Sequence, residues 1–176
     1  MKKTLLGLAL SGLFSIGAAQ ANDHSATLDI SGTVTADVVE CTIYTQASVS
    51  LTGKVGEMIA PGLTATNPIN VPFSIGSSNT EGNNTCAGKV AIQLHGTADS
   101  TYNDVLANTD ISEAGAKGVA IGIYDGTTNS PLPVNVAEII PSTAGGSFGL
   151  QLVALGGETV VAGNVHSSLT LDVVRL

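Results

Sequence analysis

The chain has no tryptophan, and its 176 residues include only three tyrosines and three phenylalanines. So few rings give poor support to a sugar site built from stacked aromatics. Basic residues are also scarce, six Lys and Arg against 14 Asp and Glu. A nucleic-acid surface needs clustered cations to displace counterions, so no nucleic-acid partner is expected. The acidic surplus serves solubility instead. There are two cysteines and three histidines. No CxxC or paired-histidine spacing occurs, and His24, His95 and His166 are scattered singly, so no metal site is expected. The carboxylates are dispersed too, and no pair of them points to acid–base chemistry. Beyond the leader, no run is long and apolar enough to cross a bilayer.

One catalytic pattern is present in form. Gly145-Gly146-Ser147-Phe148-Gly149 matches G-x-S-x-G. A nucleophile elbow requires a strand, a sharp turn and then a helix. Here the motif enters a predicted strand and no helix follows, so it reads as a glycine turn ahead of Phe148. Neither a catalytic residue nor a cofactor is assigned.

The beginning of the chain carries an address. Lys2 and Lys3 precede an apolar run from Leu5 to Ala19, and Ala19-Gln20-Ala21 fits a small-x-small cleavage site. Residues 1–21 read as a secretory signal peptide rather than an anchor, because the apolar run falls short of the ~20 residues a span needs. Cleavage leaves 155 residues, one domain's worth. Lys2 and Lys3 go with the leader, leaving four basic residues against 14 acidic ones, a net −10. In an exported chain, an even number of cysteines argues for a disulfide, and Cys41–Cys86 is the single pairing possible. Two free thiols or a metal pair is the alternative. Asn83-Asn84-Thr85 is a formal glycosylation sequon, expected to be unused behind a bacterial-type leader.

The rest is rich in Gly, Thr, Ser, Asn and Val, with 21 glycines in all. Strands are predicted over Asp37 to Tyr44, Ser48 to Leu51, Asn70 to Ile75, Val90 to His95, Val119 to Tyr124, Pro131 to Val134, Phe148 to Ala154 and Ser167 to Val174. Turn clusters separate them, and Asn103 to Ala107 reads as a single helical turn. Many short strands with such spacing predict an all-β antiparallel sandwich or barrel.

Two strands at the chain's ends stand out. In Ala26-Thr27-Leu28-Asp29-Ile30-Ser31-Gly32-Thr33-Val34, small or apolar residues alternate with polar ones, as in a strand with one buried face. It precedes the first cysteine and has no local partner. The last strand, Ser168-Leu169-Thr170-Leu171-Asp172-Val173, alternates likewise, and an open edge is expected on it.

With these features the sequence resembles the subunits of chaperone–usher fimbriae, the type 1 pilin family of Gram-negative bacteria. The likeness spans nearly the whole mature chain. It rests on the order and spacing of the leader, the segment 28–34, Cys41, Cys86, Val90-Ala91-Ile92-Gln93-Leu94-His95-Gly96-Thr97, Asn103-Asp104-Val105-Leu106-Ala107, Gly118-Val119-Ala120-Ile121-Gly122-Ile123-Tyr124-Asp125, Gly163-Asn164 and the closing strand. The family usually has a tyrosine next to last in the chain. Val173 stands in its place here, with Val174-Arg175-Leu176 beyond it.

The resemblance implies an incomplete immunoglobulin-like sandwich lacking its last strand, completed by a donor strand. It implies residues 22–34 as a donor-strand extension and 35–176 as the pilin domain. Ala26, Leu28, Ile30, Gly32 and Val34 match the donor face. Cys41 and Cys86 match the family's bridge. Leu169, Leu171 and Val173 match the edge that pairs first with a chaperone and then with a neighbour. The implied partners are neighbouring fimbrial subunits, a periplasmic pilus chaperone and an outer-membrane usher. The implied place is a cell-surface fimbrium reached through the periplasm, and the implied role is structural and adhesive. The competing expectation is a self-contained secreted β-sandwich binding module, an adhesin or lectin.

Overall fold

The computed structural model describes residues 40–77, 86–142 and 145–176. The expected leader, the donor segment with Ala26, Leu28, Ile30, Gly32 and Val34, and the sequon lie outside these residues.

The described residues are nearly all β. Eight strands run in chain order: β1 Cys41–Thr45, β2 Ile69–Ser77, β3 Val90–Gly96, β4 Leu106–Ala107, β5 Val119–Asp125, β6 Glu138–Ile139, β7 Gly146–Ala154 and β8 Leu169–Arg175. The one helical element among them is a short 3-10 turn at Val55–Glu57. One sheet has the order β1-β2-β7-β5-β4 and the other β6-β3-β8, and every ladder is antiparallel. The outcome is a sandwich rather than a barrel.

Period-two alternation places the core. Val71, Phe73 and Ile75 of β2 are buried, while Pro72 and Ser74 between them are exposed. Val90, Ile92 and Leu94 of β3 face them from the second sheet, and Val119, Ile121, Ile123, Phe148 and Leu152 complete the same cluster. β5 is buried on both faces, because a second cluster of Ala65, Val105, Ala120, Tyr124, Val153 and Leu155 covers the outside of the larger sheet. A strap over residues 59–67 makes that cover. Ile59 bridges to Val153, and the Gln151 Oε1 accepts the N–H groups of Thr66 (3.1 Å) and Asn67 (2.9 Å). Burial, and secondarily the charge of Asp104, pushes the Tyr124 phenol up from its ordinary value. Gly122 makes room for that ring, since a Cβ there would come within 2.5 Å of the Tyr124 hydroxyl.

Cys41 and Cys86 are bonded, with their Cα atoms 5.9 Å apart. The bond ties the start of β1 in one sheet to the approach to β3 in the other.

Three expected elements differ. Ser48 to Leu51 is not a strand, because among the described residues no neighbouring strand supplies a ladder; it runs as a wall beside the core. Pro131 to Val134 forms only an isolated bridge, Pro131 to Tyr124. Pro131 and Pro133 have no N–H to give, which stops a ladder. Asn103 to Ala107 is not a helical turn. Val105 closes a turn on the Tyr102 carbonyl, and Leu106–Ala107 then pairs with Ala120 and Ile121, which lets Leu106 enter the core.

Candidate functional site

The sandwich is open along one side, and β8 forms the rim. β8 pairs with β3 over its whole length, from Leu169 opposite Gly96 to Arg175 opposite Val90. Just past that ladder, the Leu176 N–H donates to the Lys89 carbonyl at 3.0 Å. Backbone groups of an antiparallel strand alternate in direction. Leu169, Leu171 and Val173 therefore turn their N–H and C=O groups away from β3. β8 is the last strand of its sheet, so among the described residues no strand meets that edge.

Beside the edge lies an apolar groove with a cavity volume of about 1160 Å³. Its floor is the inner face of the larger sheet, including Val71, Leu106, Ile121, Phe148 and Leu152. One wall is the end of β1 and the segment after it, with Ile43, Val49, Leu51 and Met58. The other is Val160, Val165, Leu169 and Leu171. Leu169 and Leu171 are half-buried and pack against the core as well as lining the groove. Val173 follows the same alternation but stands outside the lining, 37% exposed. Of the three edge residues read from the sequence, two reach the groove by side chain. All three present backbone to the open side.

The mouth of the groove near Leu169 is a braced pair of loops. Asn108 holds them. Its Nδ2 donates to the carbonyls of Ala116 (2.9 Å) and Asn164 (3.1 Å), and its Oδ1 accepts the N–H groups of Asp110 (3.0 Å) and His166 (2.9 Å). Lys117 and Val161 exchange backbone hydrogen bonds at 3.1 and 3.0 Å. Hydrogen bonds from Ser112 hold the Asp110 carboxyl below its ordinary value. The sequence reading missed Asn108, as well as Val49, Leu51 and Met58 as a groove wall. The alternation Val49-Ser50-Leu51 is the available signal; it predicts a strand, and the structure makes it a groove wall.

Other candidate chemistry does not converge. Ser147 lies within β7 opposite Pro72, and the glycine before the strand, Gly145, exchanges backbone hydrogen bonds with Ser142 and has φ +127°. His95 sits on β3 with its Nδ1 3.3 Å from the Asn135 Oδ1 and its Nε2 3.7 Å from the Asp172 carboxylate. His166 instead lines the groove mouth. Among the described residues no three His, Cys, Asp or Glu gather as a metal set.

No protein-family model and no curated protein matches the chain. Solved structures do. The chain is similar to the P pilus adaptor subunit PapF, at 15% identity and a TM-score of 0.44 over 77% of this chain and 95% of that one. It is similar to the P pilus rod subunit PapA, at 14% identity and a TM-score of 0.49 over 78% and 92%. It is also similar to a Burkholderia pseudomallei antigen and type I fimbria protein, at 16% identity and a TM-score of 0.47 over 78% and 99%.

Proposed function

We propose that this chain is an exported structural subunit of a fimbrium that polymerises by donor-strand exchange and supports cell adhesion. The observation that carries the reading is the apolar groove running beside the outward backbone of β8. An occupant that satisfies both features is an extended strand with apolar side chains on one face. Its backbone extends the ladder and its side chains fill the groove, as in β-augmentation. Residues 26–34 have that pattern, with Ala26, Leu28, Ile30, Gly32 and Val34 on one face.

Burying Leu28, Ile30 and Val34 supplies roughly 5–9 kcal/mol before costs. Ladder hydrogen bonds add about 0.5–1.5 kcal/mol each, and association and ordering offset part of the total. The balance favours a long-lived joint. Because donor and acceptor are different surfaces, the contact is heterologous and builds an open filament. In this reading the chain passes through the periplasm, where a pilus chaperone covers Leu169, Leu171 and Val173. An outer-membrane usher then exchanges that cover for a neighbouring subunit. The role is structural, with no catalysis and no cofactor.

Deleting residues 22–31 tests the reading. The truncated chain should fold and bind chaperone nearly as the full chain does, yet fail to join the preceding subunit. Folding is followed by circular dichroism and assembly by the ladder of oligomers in native mass spectrometry. Unfolding of the isolated domain on truncation would make the strand intramolecular and favour a self-contained binding module.

A further inference from the structure

At the Leu169 end of the molecule, Ile111 is 97% exposed. It is nonetheless held in a fixed place. Its flanking residues are tied by the Asn108 side chain, by the Thr109 N–H donating to the His166 carbonyl at 2.7 Å, and by the Ser112 N–H donating to Asp110 Oδ1 at 3.0 Å. Asp110 and His166 of these loops line the groove mouth. The opposite end, where β8 finishes beside the disulfide, presents Leu176, 64% exposed, held through its N–H on Lys89. One molecule thus carries a braced apolar knob at one end and an exposed leucine at the other.

We infer that Ile111 docks against the Leu176 end of the next copy of this chain, forming a second contact beside the donor strand. The inference rests on the donor-strand reading. An antiparallel donor makes the stronger and commoner ladder and matches every strand ladder in both sheets. Laid antiparallel on β8, residues 26–34 run from the Arg175 end toward Leu169, so Val34 leaves the groove at the mouth where Ile111 stands. Six residue steps then reach Glu40, which spans at most roughly 20 Å. Glu40 adjoins Cys41, and the Cys41–Cys86 bond fixes it to the same end as Lys89 and Leu176. The length of the linker therefore holds the neighbour's Leu176 end close to Ile111. A head-to-tail filament needs complementary patches at opposite ends of one molecule, and these two residues supply an apolar pair.

The test compares strand capture with joint lifetime in the mature chain. The probes are a synthetic peptide of residues 22–34 and exchange of labelled subunits between preformed oligomers. Ile111→Ser should bind the peptide with unchanged affinity, while its oligomers exchange about tenfold faster or more, the loss expected for one buried isoleucine. Leu176→Ser should do the same, and Ile111→Leu should behave as wild type. Because Ile111 is exposed, the variants should unfold at the wild-type denaturant midpoint. Oligomers of Ile111→Ser that exchange at the wild-type rate would overturn the docking while leaving donor-strand exchange intact. Equal loss of peptide affinity would also overturn it, by placing Ile111 against the strand rather than the neighbour's body. A wild-type chain that captures no peptide and forms no oligomers would remove the donor-strand reading and this contact with it.

Discussion

Replacing Leu171 with Asp should separate folding from strand capture. Leu171 lies midway along β8, opposite Leu94 of β3, half-buried against the core and facing the groove. In the open groove a carboxylate at this position keeps access to water. The folded subunit then loses only the partial packing of one leucine, about 1–2 kcal/mol. When a strand covers the groove, the same carboxylate is enclosed among apolar side chains. An uncompensated buried charge costs several kcal/mol unless it takes up a proton. Capture should therefore weaken by about 3 kcal/mol or more, over a hundredfold. Leu171→Ala, which removes contact without adding charge, should lose about tenfold. Fluorescence titration of the mature chain with a labelled peptide of residues 22–34 measures both. The pH dependence adds a second reading. Burial raises a carboxyl pKa, so the Asp variant should regain capture as pH falls from 7 toward 5, whereas the Ala variant should not. An Asp variant that binds within threefold of the Ala variant at pH 7 would refute the claim that the occupant covers Leu171.

Three further outcomes are expected. Replacing both Cys41 and Cys86 with Ser should lower stability by about 4 kcal/mol in the chain-entropy model, seen as a lower denaturant midpoint, and the unfolded, unreduced wild type should label at no thiol. Asn108→Asp should destabilise more than Asn108→Ala in thermal melts, since the carbonyls of Ala116 and Asn164 would face a carboxylate instead of an N–H donor; the Ala change alone should cost about 2–4 kcal/mol, near 1 kcal/mol for each of the four bonds. The Asp125 carboxyl is held below its ordinary value by the N–H groups of Thr128 and Thr127, so its stabilisation is fully present above that ordinary value and is lost as pH falls through the lower folded one; Asp125→Asn should flatten the acid side of a plot of unfolding midpoint against pH, and an unchanged slope would count against those bonds.

Much of the fold was legible because burial follows alternation where a strand has one wet face. β2, β3, β5, β7 and β8 all lie within a few residues of the ranges their β-favouring runs predict; β2 shows the alternation itself, whereas β5, buried on both faces, shows as a continuous run between turns. Legibility failed where tertiary partners decide. Val49 and Leu51 alternate like a strand but have apolar floor beneath them and no ladder beside them. Leu106–Ala107 is too short to show a period, and its strand character comes from Ala120 and Ile121. The two faces of β8 could be anticipated from the alternation of Leu169, Leu171 and Val173. The groove beside it could not, because its walls and floor come from segments between residues 43 and 171 that only the folded chain brings together. The role of Asn108 was equally hidden, since a single asparagine in a polar loop carries no periodic signal.

The position of the Cys41–Cys86 bond has a mechanical consequence. If the chain assembles by the proposed strand exchange, force in a fibre under tension would enter a subunit through the strand seated on β8 and leave through the chain ahead of Glu40. Without the bond, that pull would peel β1 from β2 one residue pair at a time, starting at Cys41 opposite Ser77. With it, the pull passes from Cys41 across a covalent link to Cys86 and into β3, whose seven register pairs with β8 must then slide together in shear rather than open in sequence. Under that proposed assembly the groove and the tether are joined through one sheet, and the weakest point under load would move from the subunit's interior to the non-covalent joint between subunits.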